Sequence, residues 1–119
     1  MHIRQLTLMV RNLEKSIEFY ETITELTISR RLKEGPGELA FMTNGEGETE
    51  IELVCMPQAQ KFEGKGFSIC FVTDKLDALH ELAQSKGLNP SDIRNPDPQS
   101  RYFYVYDPDG VSLQLRQIV

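Results

Sequence analysis

Residues 7–23 read Thr-Leu-Met-Val-Arg-Asn-Leu-Glu-Lys-Ser-Ile-Glu-Phe-Tyr-Glu-Thr-Ile, and residues 69–85 read Ile-Cys-Phe-Val-Thr-Asp-Lys-Leu-Asp-Ala-Leu-His-Glu-Leu-Ala-Gln-Ser. Each passes from an apolar strand into an amphipathic helix, and the two lie 62 residues apart. The same offset links Ile51-Glu52-Leu53 to Leu113-Gln114-Leu115. A repeat of this length marks one supersecondary unit copied and packed against its copy. The expectation is a single α+β domain over residues 1–119, made of two repeats at about 1–57 and 66–119.

Working outward, Leu6, Leu8 and Val10 alternate with Gln5, Thr7 and Met9, which gives a first strand with two different faces. Asn12 is placed to cap the helix that follows, and Leu13, Ile17, Phe19, Tyr20 and Ile23 form its apolar stripe. Extended segments at about 26–33, 38–43 and 49–56 are separated by Gly35-Pro36-Gly37 and by Asn44-Gly45-Glu46-Gly47. Those separators read as turns, so the unit is βαβββ. The second unit has a strand at 67–72 and a helix from about Thr73 or Asp74 to Lys86-Gly87. A loop at 89–100 holds three prolines and is expected to shorten or replace one strand. Strands at 102–106 and 111–117 flank Asp107-Pro108-Asp109-Gly110, the chemistry of a type I turn.

Composition sets outer bounds. The net charge of −5 argues against a nucleic-acid binder or an anionic membrane surface, since either would need a basic face. No stretch approaches the length of a membrane span, and no secretory leader is read at the N-terminus. A cytoplasmic setting is the expectation. Cys55 and Cys70 sit in apolar strands and read as two small buried hydrophobes.

The two βαβββ units, the strand-end Val10 followed by a capped Ile-Glu-Phe-Tyr helix, and Asp-Pro-Asp-Gly before the last strand together resemble the vicinal oxygen chelate superfamily. Its members include glyoxalase I, extradiol dioxygenases, fosfomycin-resistance proteins and bleomycin-binding proteins. The resemblance covers essentially the whole chain. It implies the glyoxalase/bleomycin resistance/dioxygenase fold, in which two modules form a curved mixed-sheet cup, and it implies pairing of chains into a homodimer. In glyoxalase-like members four ligands hold a divalent metal in that cup. Carried over by position, they are Gln5, Glu52, Phe67 and Gln114. Phe67 has no donor atom, and Gln114 is a neutral amide where the family usually has a carboxylate. One anionic ligand is too little for a catalytic metal, which wants several hard or borderline donors. No metal, no cofactor and no catalytic residue is therefore expected. Without a metal the glyoxalase mechanism loses its means of stabilising an enediolate.

Strand parity gives the expected lining of the cup: Gln5, Thr7 and Met9, then Glu50 and Glu52, then Phe67, Ile69 and Phe71, then Tyr102 and Tyr104, then Gln114 and Arg116. An aromatic, largely apolar surface with a few polar groups is the make-up of a small-molecule pocket. Tyr and Phe faces with two glutamates nearby suit an aromatic or cationic ligand. The expected function is metal-independent binding of such a ligand, of the drug-sequestering kind. Two alternatives stand beside it: a glyoxalase I-like lyase or other metal-dependent enzyme with an atypical site, and an interaction module with no small ligand.

Overall fold

Alternation of apolar and polar residues gives β1 (Gln5–Met9) one face for a helix and one without. The computed structural model describes residues 1–118. The chain divides into two compact units, residues 1–63 and the residues from Gly64 onward.

In the first unit β1 leads into α1 (Leu13–Ile23), β2 (Thr27–Glu34), β3 (Gly37–Thr43) and β4 (Glu50–Cys55). The helix starts where the Asn12 side-chain oxygen accepts the Lys15 N–H at 3.0 Å, satisfying one orphan donor of the first turn. It ends at Thr24, whose hydroxyl donates to the Tyr20 carbonyl at 2.6 Å. Sheet order is β1-β4-β3-β2, with β1 parallel to β4 and the other pairs antiparallel. Ile17, Tyr20 and Ile23 of α1 are buried, as are Leu8, Ala40, Met42, Ile51 and Leu53 on the alternate positions of the strands. Gly37 is required at the β2–β3 turn: a Cβ there would overlap the Met56 sulfur and stand 2.9 Å from the Cys55 carbonyl.

The second unit repeats the plan with β5 (Ser68–Val72), α2 (Leu76–Ser85), β6 (Arg94–Asp97), β7 (Ser100–Tyr106) and β8 (Ser112–Ile118), in sheet order β5-β8-β7-β6. The proline-bearing loop keeps one strand of four residues, β6. Helix α2 starts at Leu76, later than expected, and its first residues lack a side-chain cap. It closes with Gly87 at φ +71°, whose N–H donates to Gln84, while Leu88 N–H reaches back to Ala83. That is the left-handed C-terminal cap glycine supplies best. The Asp107 turn forms as expected, with Gly110 N–H on the Asp107 carbonyl at 3.0 Å.

The repeat is not uniform, and the difference corrects the sequence reading. Leu13 and Leu76 open the two helices at an offset of 63, whereas Thr24 and Lys86 close them at 62. Helix α2 is one residue shorter, ten against eleven. The first strands therefore align at 63 and the last strands at 62, while β3 and β7, which pair with those last strands, align at 63, with Phe41 answering to Tyr104. Thr7 lies opposite Glu52 and Cys70 lies opposite Gln114, so Cys70 answers to Thr7 and Ser68 answers to Gln5. A one-residue slip turns a strand's side chains to the other face. Ile69 and Phe71 thus pair with the fully buried Leu113 and Leu115, on the α2 side of the sheet. Their expected place in a ligand lining is corrected. Cys70 is corrected too: it is exposed, and Cys55 is only half-buried.

Candidate functional site

In the first unit, the side chains that α1 leaves uncovered come from alternate positions: Gln5, Thr7 and Met9 of β1, and Glu50, Glu52 and Val54 of β4. Strand register brings Phe41 opposite Glu52 and Arg30 opposite Phe41. Glu52 is the hub. Its Oε1 accepts from the Thr7 hydroxyl at 2.7 Å and from the Gln5 amide nitrogen at 3.1 Å. Glu50 accepts from the Ser29 hydroxyl at 2.8 Å and lines a cleft of about 480 Å³ with Arg4, Arg30 and Glu46. Met9 packs with Leu39, Phe41 and Val54 in a small apolar cluster. The Arg30 guanidinium lies 3.9 Å over the Phe41 ring, a stacked contact that the sequence reading missed.

In the second unit the corresponding face carries Ser68, Cys70 and Val72 of β5, Ser112, Gln114 and Arg116 of β8, and Tyr102, Tyr104 and Tyr106 of β7. Four of the expected residues come together here. The Tyr102 and Tyr104 rings meet edge to face, with centroids 5.7 Å apart. The Arg116 guanidinium sits 5.1 Å over the Tyr102 ring. Arg116 Nη1 donates to Gln114 Oε1 at 3.2 Å, and Gln114 Nε2 donates to the Tyr104 hydroxyl oxygen at 2.8 Å. The Cys70 thiol donates to the same Gln114 oxygen at 3.1 Å. Partial burial pushes the Cys70 thiol above its ordinary value, with Arg116 opposing, so it is not poised as a thiolate. Phe67 precedes β5, is 43% exposed, and borders a hollow of about 310 Å³ with Ser68, Tyr106 and Ser112. It is thus available to a ligand, though not at the position first assigned to it. Parity from Gln114 would have found Cys70, had the strand been aligned at 63.

The donor set can be tested against a divalent metal. With Ser68 in place of Phe67, the four carried-over positions offer one carboxylate, two carboxamides and one hydroxyl. Glu52 already takes two hydrogen bonds. The Gln114 oxygen faces the Arg116 guanidinium, whose charge repels a cation. Among the described residues no three His, Cys, Asp or Glu side chains form a group able to hold a metal ion. These residues do not fit the family's metal. The histidines do not alter this. The His80 ring is held by the Ser91 carbonyl at 2.8 Å and packs edge-on to Phe103.

A family model described as Glyoxalase/Bleomycin resistance protein/Dioxygenase superfamily matches residues 2–115. The chain belongs to this superfamily. It is 33% identical over 116 residues to the uncharacterized protein YwbC of Bacillus subtilis (strain 168), covering 92% of each chain. Among solved structures it is similar to TnmS3, an antibiotic binding protein from Streptomyces sp. CB03234, with a TM-score of 0.75 and 21% identity over 100% of this chain and 97% of that one. It is also similar to the trypanothione-dependent glyoxalase I of Leishmania major, with a TM-score of 0.77 and 20% identity over 97% of this chain and 85% of that one. At such identities the two structures speak for the fold alone. No helix among the described residues is long and apolar enough to cross a membrane.

Proposed function

We propose that this superfamily member binds a small aromatic molecule without a metal, on the face of the second unit that carries Tyr102, Tyr104, Gln114 and Arg116. The observation that carries the reading is the hydrogen-bonded, ring-stacked arrangement of these four side chains on one sheet face; the nearby hollow is lined instead by Phe67 and Ser68, and by Tyr106 and Ser112 of the same strands. Rings held by mutual packing lose little entropy when a flat ligand adds to them. Of the ligand classes expected from the sequence, the aromatic is retained. The Arg116 charge works against a cation here, and the glutamates that suggested one, Glu50 and Glu52, belong to the first unit. A glyoxalase-like reaction gains no support from a donor set with one carboxylate. Nucleophilic chemistry gains none from a thiol whose ionisation is disfavoured. The reading places the protein in the cytoplasm, where the exposed Cys70 thiol stays reduced, and includes pairing of two chains.

A thermal-shift screen of neutral and anionic aromatic compounds tests it. A compound that binds only the native state raises the melting temperature with concentration, by RT ln(1 + [L]/Kd) in free energy. The expected hits are flat aromatics whose effect survives excess EDTA and falls when Tyr102 and Tyr104 are both changed to Ala. A screen without aromatic hits, or hits indifferent to both tyrosines, sinks the reading. Light scattering on the same samples should give twice the chain mass.

A further inference from the structure

We propose that Tyr104 is the specificity-determining hydrogen-bond donor of this face, so that the protein prefers aromatic ligands carrying a carbonyl or anionic oxygen. The inference rests on the binding reading above and adds to it the polarity of the ligand.

It follows from which groups can only donate. A guanidinium has five N–H groups and no acceptor. Arg116 Nη1 lies 3.2 Å from one end of the Gln114 carboxamide, so that end must be the oxygen. The Cys70 thiol, 3.1 Å from the same atom, is a donor as well and agrees. Turning the amide over would set its NH2 against the guanidinium. The other end, 2.8 Å from the Tyr104 hydroxyl oxygen, is therefore the NH2 group, which can only donate. Tyr104 accepts from Gln114, and its own hydrogen is left for something else. Among the described residues, the bond from Gln114 is the one hydrogen bond recorded at that hydroxyl. Tyr104 is only partly buried, so that hydrogen is open to solvent in the free protein. In the complex an acceptor oxygen on the ligand takes it.

The surrounding charge points the same way. Register sets Arg94 opposite Tyr102 from one side and Arg116 opposite it from the other. The nearest carboxylate on these strands, Asp97, is occupied by the Ser100 hydroxyl at 3.2 Å and the Gln99 N–H at 2.8 Å. The face thus carries positive charge in a chain whose net charge is −5. A chain of bonds running Arg116 to Gln114 to Tyr104 also polarises the hydroxyl as a donor.

The test compares three probes of one ring size, benzoate, acetophenone and benzylamine, by NMR titration of the tyrosine ring signals. With four tyrosines and no tryptophan the signals are few enough to assign by substitution. Benzoate is expected to bind best, acetophenone next and benzylammonium least. Tyr104→Phe should weaken benzoate and acetophenone by about tenfold and leave benzylammonium unchanged. Gln114→Leu, which releases Tyr104 to donate or accept, should narrow the gap between benzoate and benzylammonium. Circular dichroism confirms that both variants fold. Equal binding of all three probes, or a Tyr104→Phe variant with unchanged preference, overturns the donor assignment while aromatic binding stands. If none of the probes moves the Tyr102 and Tyr104 signals, the binding reading itself falls.

Discussion

Phe103→Ala should destabilise the protein by about 3–5 kcal/mol, the cost of removing a buried ring and leaving most of its cavity. Phe103 is 0% exposed at the centre of β7, opposite Leu115, which is equally buried. Its ring packs edge-on to His80, with centroids 4.9 Å apart, and His80 is tied by its own hydrogen bond to Ser91. A neighbour held in that way cannot move in to fill the space. Urea titration followed by circular dichroism measures the effect. Tyr102→Ala is the control one residue away, on the opposite face of the same strand. Tyr102 is only half-buried, so its loss should cost well under half as much. Comparable losses for the two variants would mean that the assignment of faces in the second sheet is wrong.

Asp107→Ala should cost about 2–4 kcal/mol, from two backbone donors left without their acceptor. Asp107 is 5% exposed, and its Oδ1 accepts the N–H of Asp109 at 2.8 Å and of Val111 at 2.9 Å. The backbone closes the same turn, with Asp107 N–H on the Val111 carbonyl and Gly110 N–H on the Asp107 carbonyl. Gly110 sits at φ +88°, where a side chain would be strained. This turn sets where β8 begins, and β8 carries Gln114 and Arg116. Asp107→Asn keeps an acceptor oxygen in place and should lose about half as much. Hydrogen exchange at Val111 reads the local effect: its amide should exchange faster in Asp107→Ala and stay protected in Asp107→Asn. Undiminished protection in the alanine variant would show that the carboxylate is not what holds the turn.

Much of the fold is legible in the sequence because its signals are local. Asn12 caps α1, Asp107 to Gly110 forms its turn, and Tyr102 and Tyr104 share a face because Phe103 and Val105 alternate with them. What fails is register in Ile69-Cys70-Phe71-Val72. All four residues are apolar, so period-two alternation cannot say which pair faces the helix. The repeat offset is then the remaining guide, and the one-residue shortening of α2 changes that offset between the first strands and the last. That slip misplaced Ile69 and Phe71, hid Cys70 and Ser68, and gave Phe67 the wrong counterpart. The short strand β6 was indistinct for a different reason. Arg94-Asn95-Pro96-Asp97 has no apolar residue, and its pairing to β7 is imposed by its neighbour. The candidate site was half legible. Parity points to Tyr102, Tyr104 and Arg116, and Gln114 is reached by family position and repeat offset as well, but the hydrogen-bond chain through them depends on distances that no pattern of residues contains.

The central claim is aromatic binding that needs no metal, and one paired titration tests it most directly. Protein purified without chelator is divided. One half is stripped with EDTA, the other is supplemented with zinc or nickel, and benzoate is titrated into both while the Tyr102 and Tyr104 ring signals are followed. The account predicts the same shifts and the same affinity in both halves, with no stoichiometric metal retained by the unstripped protein. One metal ion per chain before stripping, or a benzoate response that appears only in the supplemented half, would contradict it.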